Sequence, residues 1–126
     1  MGAKIERFED VRAWQEAREL CRLVYGLTSG GRFAKDFGLR DQIQRATVSV
    51  MANIAEGFDR RTKKDFRHFL GIALGSCSEV KSHLFVALDQ GYISPEDFNS
   101  AYRRAVATSR LIFTFMRRLS ADLDGT

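Results

Sequence analysis

Between Ser49 and Glu79 the chain sets small and polar residues (Ser49, Asn53, Glu56, Gly57, Gly71, Gly75, Ser76 and Glu79) into otherwise apolar helical sequence. Each glycine inside a helix costs about 1 kcal/mol relative to alanine, and a buried polar group without a partner costs roughly 1–3 kcal/mol. Both costs are offset when a second helix packs closely in one register, with backbones approaching at the glycines and polar side chains joined in a satisfied network. The stretch therefore specifies architecture, and no residue set in it has the arrangement of a catalytic centre.

The apolar spacing of the whole chain predicts four helices. The first runs from about Asp10 to Thr28, with Val11, Trp14, Cys21 and Val24 in a stripe beside Leu20 and Leu27, and stops at Ser29-Gly30-Gly31. The second runs from about Leu39 to Glu56. Its Leu39, Ile43, Ala46, Val50, Asn53 and Gly57 alternate steps of four and three, which places Asn53 in the core register. The third starts after Thr62, whose hydroxyl can cap the first turn while Asp65 completes an acidic capping box, and ends near Asp89-Gln90-Gly91. Its seam is Phe66, Leu70, Ala73, Cys77, Val80 and Leu84; a second stripe of Phe69, Ile72, Ser76, Glu79 and His83 predicts a second covered face.

The fourth helix opens with Ser94-Pro95-Glu96-Asp97: a cap, a proline at the first helical position, and acids at the positive end of the helix dipole. Phe98, Tyr102, Ala105, Ser109, Ile112, Met116, Leu119 and Leu123 keep the four-three alternation to its end. The segment from Ser29 to Asp36 is the longest irregular stretch and the expected flexible one. The fold expected is all-α, an antiparallel up-and-down four-helix bundle forming a single domain over residues 1–126.

A chain of 126 residues can build one core without staples. Cys21 and Cys77 have no paired spacing, which argues against a zinc site or disulfide framework and fits buried thiols in a reducing compartment. The N-terminus has no apolar run ahead of a small-residue cleavage site, and no window approaches the roughly 18 apolar residues that span a bilayer. A cytoplasmic protein with no membrane association is expected.

Ser49, Asn53 and Glu56 recur on one side of the second helix, and Ser76 and Glu79 on the third, predicting a polar layer between the two. A carboxylate metal site from Glu56, Glu79 and His83 is the competing reading, but di-metal bundles use more carboxylates and a Glu-x-x-His pair, whereas Glu79 and His83 are four apart. Gly71 and Gly75 predict close helix packing within the bundle or between subunits. The segment Gly71-Ile-Ala-Leu-Gly-Ser76 lacks a P-loop's lysine and preceding strand. His68 and His83 have no nucleophile and orienting acid at a motif spacing. No catalytic residue, metal or cofactor is expected, and the protein is read as a non-enzyme.

The formal net charge of +4 is modest, so its distribution carries the argument. Arg60, Arg61, Lys63, Lys64 and Arg67 crowd the turn between the second and third helices. The fourth helix carries Arg103, Arg104, Arg110, Arg117 and Arg118 with no acid between Tyr102 and Leu119. Arg103, Arg110 and Arg117 recur every seven residues and so share a face, a positive stripe about 20 Å long at 1.5 Å per residue. Such a stripe is an electrostatic footprint for RNA or DNA. The alternative is a solvated face whose arginines pair with Glu16, Glu19 or a second subunit, on a protein-interaction scaffold with no direct nucleic-acid role. No motif for base-specific recognition is present.

Taken together, Val11-Arg-Ala-Trp14-Gln with Leu20 and Tyr25, Leu39-Arg-Asp-Gln-Ile-Gln-Arg-Ala46, Ser49-Val-Met-Ala-Asn-Ile-Ala-Glu-Gly57, and Phe66-Arg-His-Phe-Leu-Gly-Ile-Ala-Leu-Gly-Ser76 with Glu79 resemble the 23S rRNA-intervening-sequence proteins, a family that includes the accessory variability determinants of diversity-generating retroelements. The chain departs from the family pattern at Met51, in a region where proline is frequent, and at Cys77, where leucine often follows Gly-Ser. The resemblance implies an antiparallel bundle assembled as a homopentamer with basic surfaces. In the retroelement branch it implies nucleic-acid binding and association with a reverse transcriptase, without catalysis; other members are encoded within insertions in ribosomal RNA genes.

Overall fold

The computed structural model describes residues 4–124, and among these every regular element is helical. A single 3-10 turn, Phe8–Asp10, precedes α1 (Arg12–Thr28), α2 (Gly31–Lys35), α3 (Phe37–Phe58), α4 (Lys63–Asp89) and α5 (Pro95–Asp124). Helix α1 packs against α3 and α5, and α4 packs against the same two, so the four long helices surround the interior.

Polar caps mark where three of these helices begin. The Asp36 carboxylate accepts the Leu39 N–H (3.1 Å), the Thr62 hydroxyl accepts the Asp65 N–H (3.1 Å), and the Ser94 hydroxyl accepts the Asp97 N–H (3.0 Å). The Asp65 carboxylate does not return a bond to Thr62, so the expected capping box is half formed. Helix α4 ends because Gly91 takes φ +71°, letting its own N–H reach the Leu88 carbonyl (3.0 Å) and that of Tyr92 reach the Ala87 carbonyl (2.9 Å).

The interior has two layers. Leu20, Val24, Phe33, Ile43, Leu84, Ile93, Phe98 and Ala105 fill one end. Val11, Ala17, Val50, Ile54, Leu70, Ala73, Cys77, Ile112 and Leu119 fill the other. Most positions of the four-three seams thus face inward, but in α5 Leu123 is exposed and Tyr102, Ser109 and Met116 are only half-buried. Cys77 is fully buried, and burial pushes its thiol pKa up.

Two expectations are corrected. The Ser29 to Asp36 connection is not an irregular, flexible stretch: it holds helix α2, whose Phe33 is buried against Tyr92 (ring centroids 5.5 Å apart). Arg32 donates to the Gln90 carbonyl (3.1 Å), Arg40 to the Ala34 carbonyl (3.0 Å), and Tyr92 donates its hydroxyl to Asp36 (2.9 Å). The second stripe of the α4 sequence is also not a covered face. Ser76 is buried, but Ile72 and Glu79 are exposed, because α3 and α5 between them cover only the seam. The start of α1 differs by a smaller margin: Asp10 lies in the 3-10 turn, where its carboxylate accepts the N–H groups of Glu6 and Arg7 (both 3.1 Å).

Candidate nucleic-acid interface

The ten basic residues of the two sequence clusters divide into two groups. Arg104 is half-buried and its guanidinium meets Glu16 of α1 at 2.9 Å, the pairing that a solvated-face reading anticipates. Glu19 instead pairs within α1, with Arg22 (3.3 Å). Arg60 lies 3.5 Å from Glu56 and stacks over the Phe69 ring at 4.6 Å. Lys63 meets Asp122 at 3.2 Å, and Arg67 donates to Ser120 at 3.1 Å. Arg61, Lys64, Arg103, Arg110, Arg117 and Arg118 are exposed and have no side-chain partner among the described residues.

The paired residues join what the sequence presents as two patches. Lys63 and Arg67 reach Asp122 and Ser120, within about a turn of Arg117 and Arg118, so the basic turn adjoins the last turns of α5. Their cationic surface runs from that turn along the outer face of α5 to Arg103. At its far end a cavity of about 470 Å³ is lined by Glu16, Ser100, Arg103, Arg104 and Ala107.

Aromatic rings flank this surface, a feature the charge pattern alone does not reveal. Phe113 of α5 is 53% exposed. Phe85 of α4 is 48% exposed and contacts Phe98 (4.9 Å) and Tyr102 (5.5 Å), which stack on each other at 5.3 Å. For Phe113 the signal available in the sequence was its position out of register with the α5 seam.

The polar layer forms in reduced extent. The hydroxyls of Ser49 and Ser76 are 2.8 Å apart, joining α3 to α4, and the Asn53 amide donates to the Ser49 carbonyl (2.8 Å) and hydroxyl (3.0 Å). Glu56 and Glu79 are exposed and lie outside it. Within it three side chains satisfy one another at the α3–α4 seam.

Of the glycines, Gly71 has room, since an added Cβ would meet only Met116 Cε at 3.7 Å, and Gly75 faces open space. Close approach occurs at Gly57 instead, where an added Cβ would stand 2.8 Å from Phe69 Cβ. Among the described residues no three metal-ligating side chains converge, and no helix is long and apolar enough to cross a membrane.

Fold and surface define a small helical-bundle protein with one arginine-rich face. Residues 9–114 match the family described as 23S rRNA-intervening sequence protein, and the chain belongs to that family. Its structure is similar to a crystal structure from Bacteroides thetaiotaomicron, described as a protein with unknown function from the S23 ribosomal protein family (TM-score 0.77, 24% identity, covering 83% of this chain and 95% of that one). At that identity the likeness is one of fold. No curated protein matches the chain.

Proposed function

We propose that this protein is a non-catalytic, self-associating nucleic-acid-binding accessory protein. Its fold in this reading is a single antiparallel up-and-down four-helix bundle. The course of the helices is supported by the contacts of α2 with the α4–α5 connection at one end and of Lys63 and Arg67 with the last turns of α5 at the other. Exposed Arg103, Arg110 and Arg117 bind phosphates along α5, with Arg61, Lys64 and Arg118 extending the track onto the basic turn. The carrying observation is that, among the described residues, these basic side chains have no acid to neutralise them, whereas Arg104 does.

Phosphate binding of this kind is independent of sequence and releases counterions, so it weakens steeply with salt. It suits a role in which the protein holds a nucleic acid for another machine, of which a reverse transcriptase is the class the family resemblance implies. A ring of copies, a pentamer by the same resemblance, would multiply weak patches into a strong one. Replacing Arg103, Arg110 and Arg117 together by glutamate abolishes binding in a salt titration with labelled RNA and DNA while helicity stays constant. Undiminished affinity in that variant removes the footprint from α5.

A further inference from the structure

The arginine face carries rings as well as charge, and their placement bears on which nucleic acid it takes. Tyr102 and Phe113 are eleven residues apart on α5, three helical turns, so they lie on one flank of the ridge formed by Arg103, Arg110 and Arg117. Along the helix axis the order is Tyr102 with its neighbour Phe85, then Arg103, Arg110, Phe113 and Arg117. Two ring platforms are therefore interspersed with guanidinium groups over about 20 Å of helix.

A ring more than half exposed on a soluble protein has given up burial that a Phe side chain normally obtains. Polar residues at these positions would serve a purely phosphate-binding face equally well. From Arg103 to Arg118 α5 contains five arginines and no acid, which favours a polyanion as occupant. The rings favour a polyanion that also exposes flat π surfaces. Single-stranded nucleic acid has both properties, because its bases are free to leave their own stack and lie on aromatic side chains. In a duplex the base faces are covered by their neighbours, leaving phosphates and base edges, but no flat π surface, within reach of a helix.

We infer that the α5 face binds single-stranded RNA or DNA, with Arg103, Arg110 and Arg117 on phosphates and Phe113 and the Phe85–Tyr102 pair stacking on bases. This rests on the phosphate-binding reading of the same face and adds the strand state of the ligand. Stacking tolerates any base, in keeping with the lack of a sequence-reading motif.

The test compares oligo(dT), oligo(rU) and a duplex of equal length, each labelled, against the full chain and variants at Phe113, with helicity monitored throughout. The wild-type protein binds the single strands more tightly than the duplex. Phe113→Ala loses roughly tenfold on single strands and little on duplex. Phe113→Trp retains binding, and its indole fluorescence is quenched by added oligonucleotide beyond any change in the wild-type protein, whose one tryptophan is Trp14. Equal affinity for both strand states, with Phe113→Ala unchanged, overturns the single-strand inference and leaves phosphate binding standing. Full binding by Phe113→Leu with no quenching in Phe113→Trp shows apolar contact without stacking and also overturns it. Failure of the wild-type protein to bind any oligonucleotide at low salt overturns both readings and passes the face to a protein partner.

Discussion

Gly57 of α3 lies against Phe69 of α4, so that a Cβ at Gly57 would stand 2.8 Å from Phe69 Cβ, with Phe66 Cδ1 at 2.9 Å and the Phe66 carbonyl oxygen at 3.2 Å. Two of those three obstacles are fixed to the α4 backbone, and side-chain rotation cannot relieve them. Gly57→Ala should destabilise the protein by about 1–3 kcal/mol through overpacking, despite the better helix propensity of alanine. Gly75→Ala, with open space around its added methyl, should instead stabilise by up to about 1 kcal/mol. Urea denaturation of the two variants checks the contrast, and equal midpoints would show that the α3–α4 crossing can open without cost.

The Arg104–Glu16 pair holds one guanidinium off the cationic track. Glu16→Gln releases it and removes an acid from the cavity beside Arg103. Both residues are partly exposed, so the stability cost should stay below about 1 kcal/mol. Under the proposed function, nucleic-acid affinity should rise at low salt and the salt dependence should steepen by roughly one further phosphate contact. A salt titration of the variant beside the wild-type protein measures both, and an unchanged slope would separate Arg104 from the binding surface.

Tyr92 donates its hydroxyl to the Asp36 carboxylate, and that bond holds its pKa above the ordinary tyrosine value of 10.0. A raised folded-state pKa means a stabilising contribution present in full below the unfolded-state value and lost as pH rises through the folded one. Stability should therefore hold up to about pH 10 and decline above it, and Tyr92→Phe should lack this part of the decline. Denaturation midpoints followed across alkaline pH for both proteins provide the comparison; parallel curves would remove Tyr92 as their source.

Local chemistry explains which elements could be read from the sequence. Thr62 and Ser94-Pro95 announce helix starts because capping involves neighbouring residues only, and both hydroxyls make the expected bonds. The seams Ile43–Ala46–Val50 and Leu70–Ala73–Cys77 are buried because their spacing alone places them on one side. Helix α2 escaped because five residues make too little of a helix to show periodicity, and its stability comes from distant partners such as Gln90 and Tyr92. Spacing likewise grouped Glu56 and Glu79 with Ser49, Asn53 and Ser76. Only tertiary placement separates the three bonded residues from the two exposed acids. At the basic face, charge and period located the arginines, but which of them are neutralised depends on helices far apart in sequence.

Helix α2 is too short to persist alone. The bonds of Arg32, Asp36 and the Phe33 ring tie it to residues of the α4–α5 connection, so it can take shape only after the two inter-helix connections at that end have met. Contacts that form only after such a meeting are expected on the native side of the folding barrier, where they slow unfolding while hardly affecting the rate of folding. The segment after Ser29 should therefore set the lifetime of the native state more than the speed with which that state is reached.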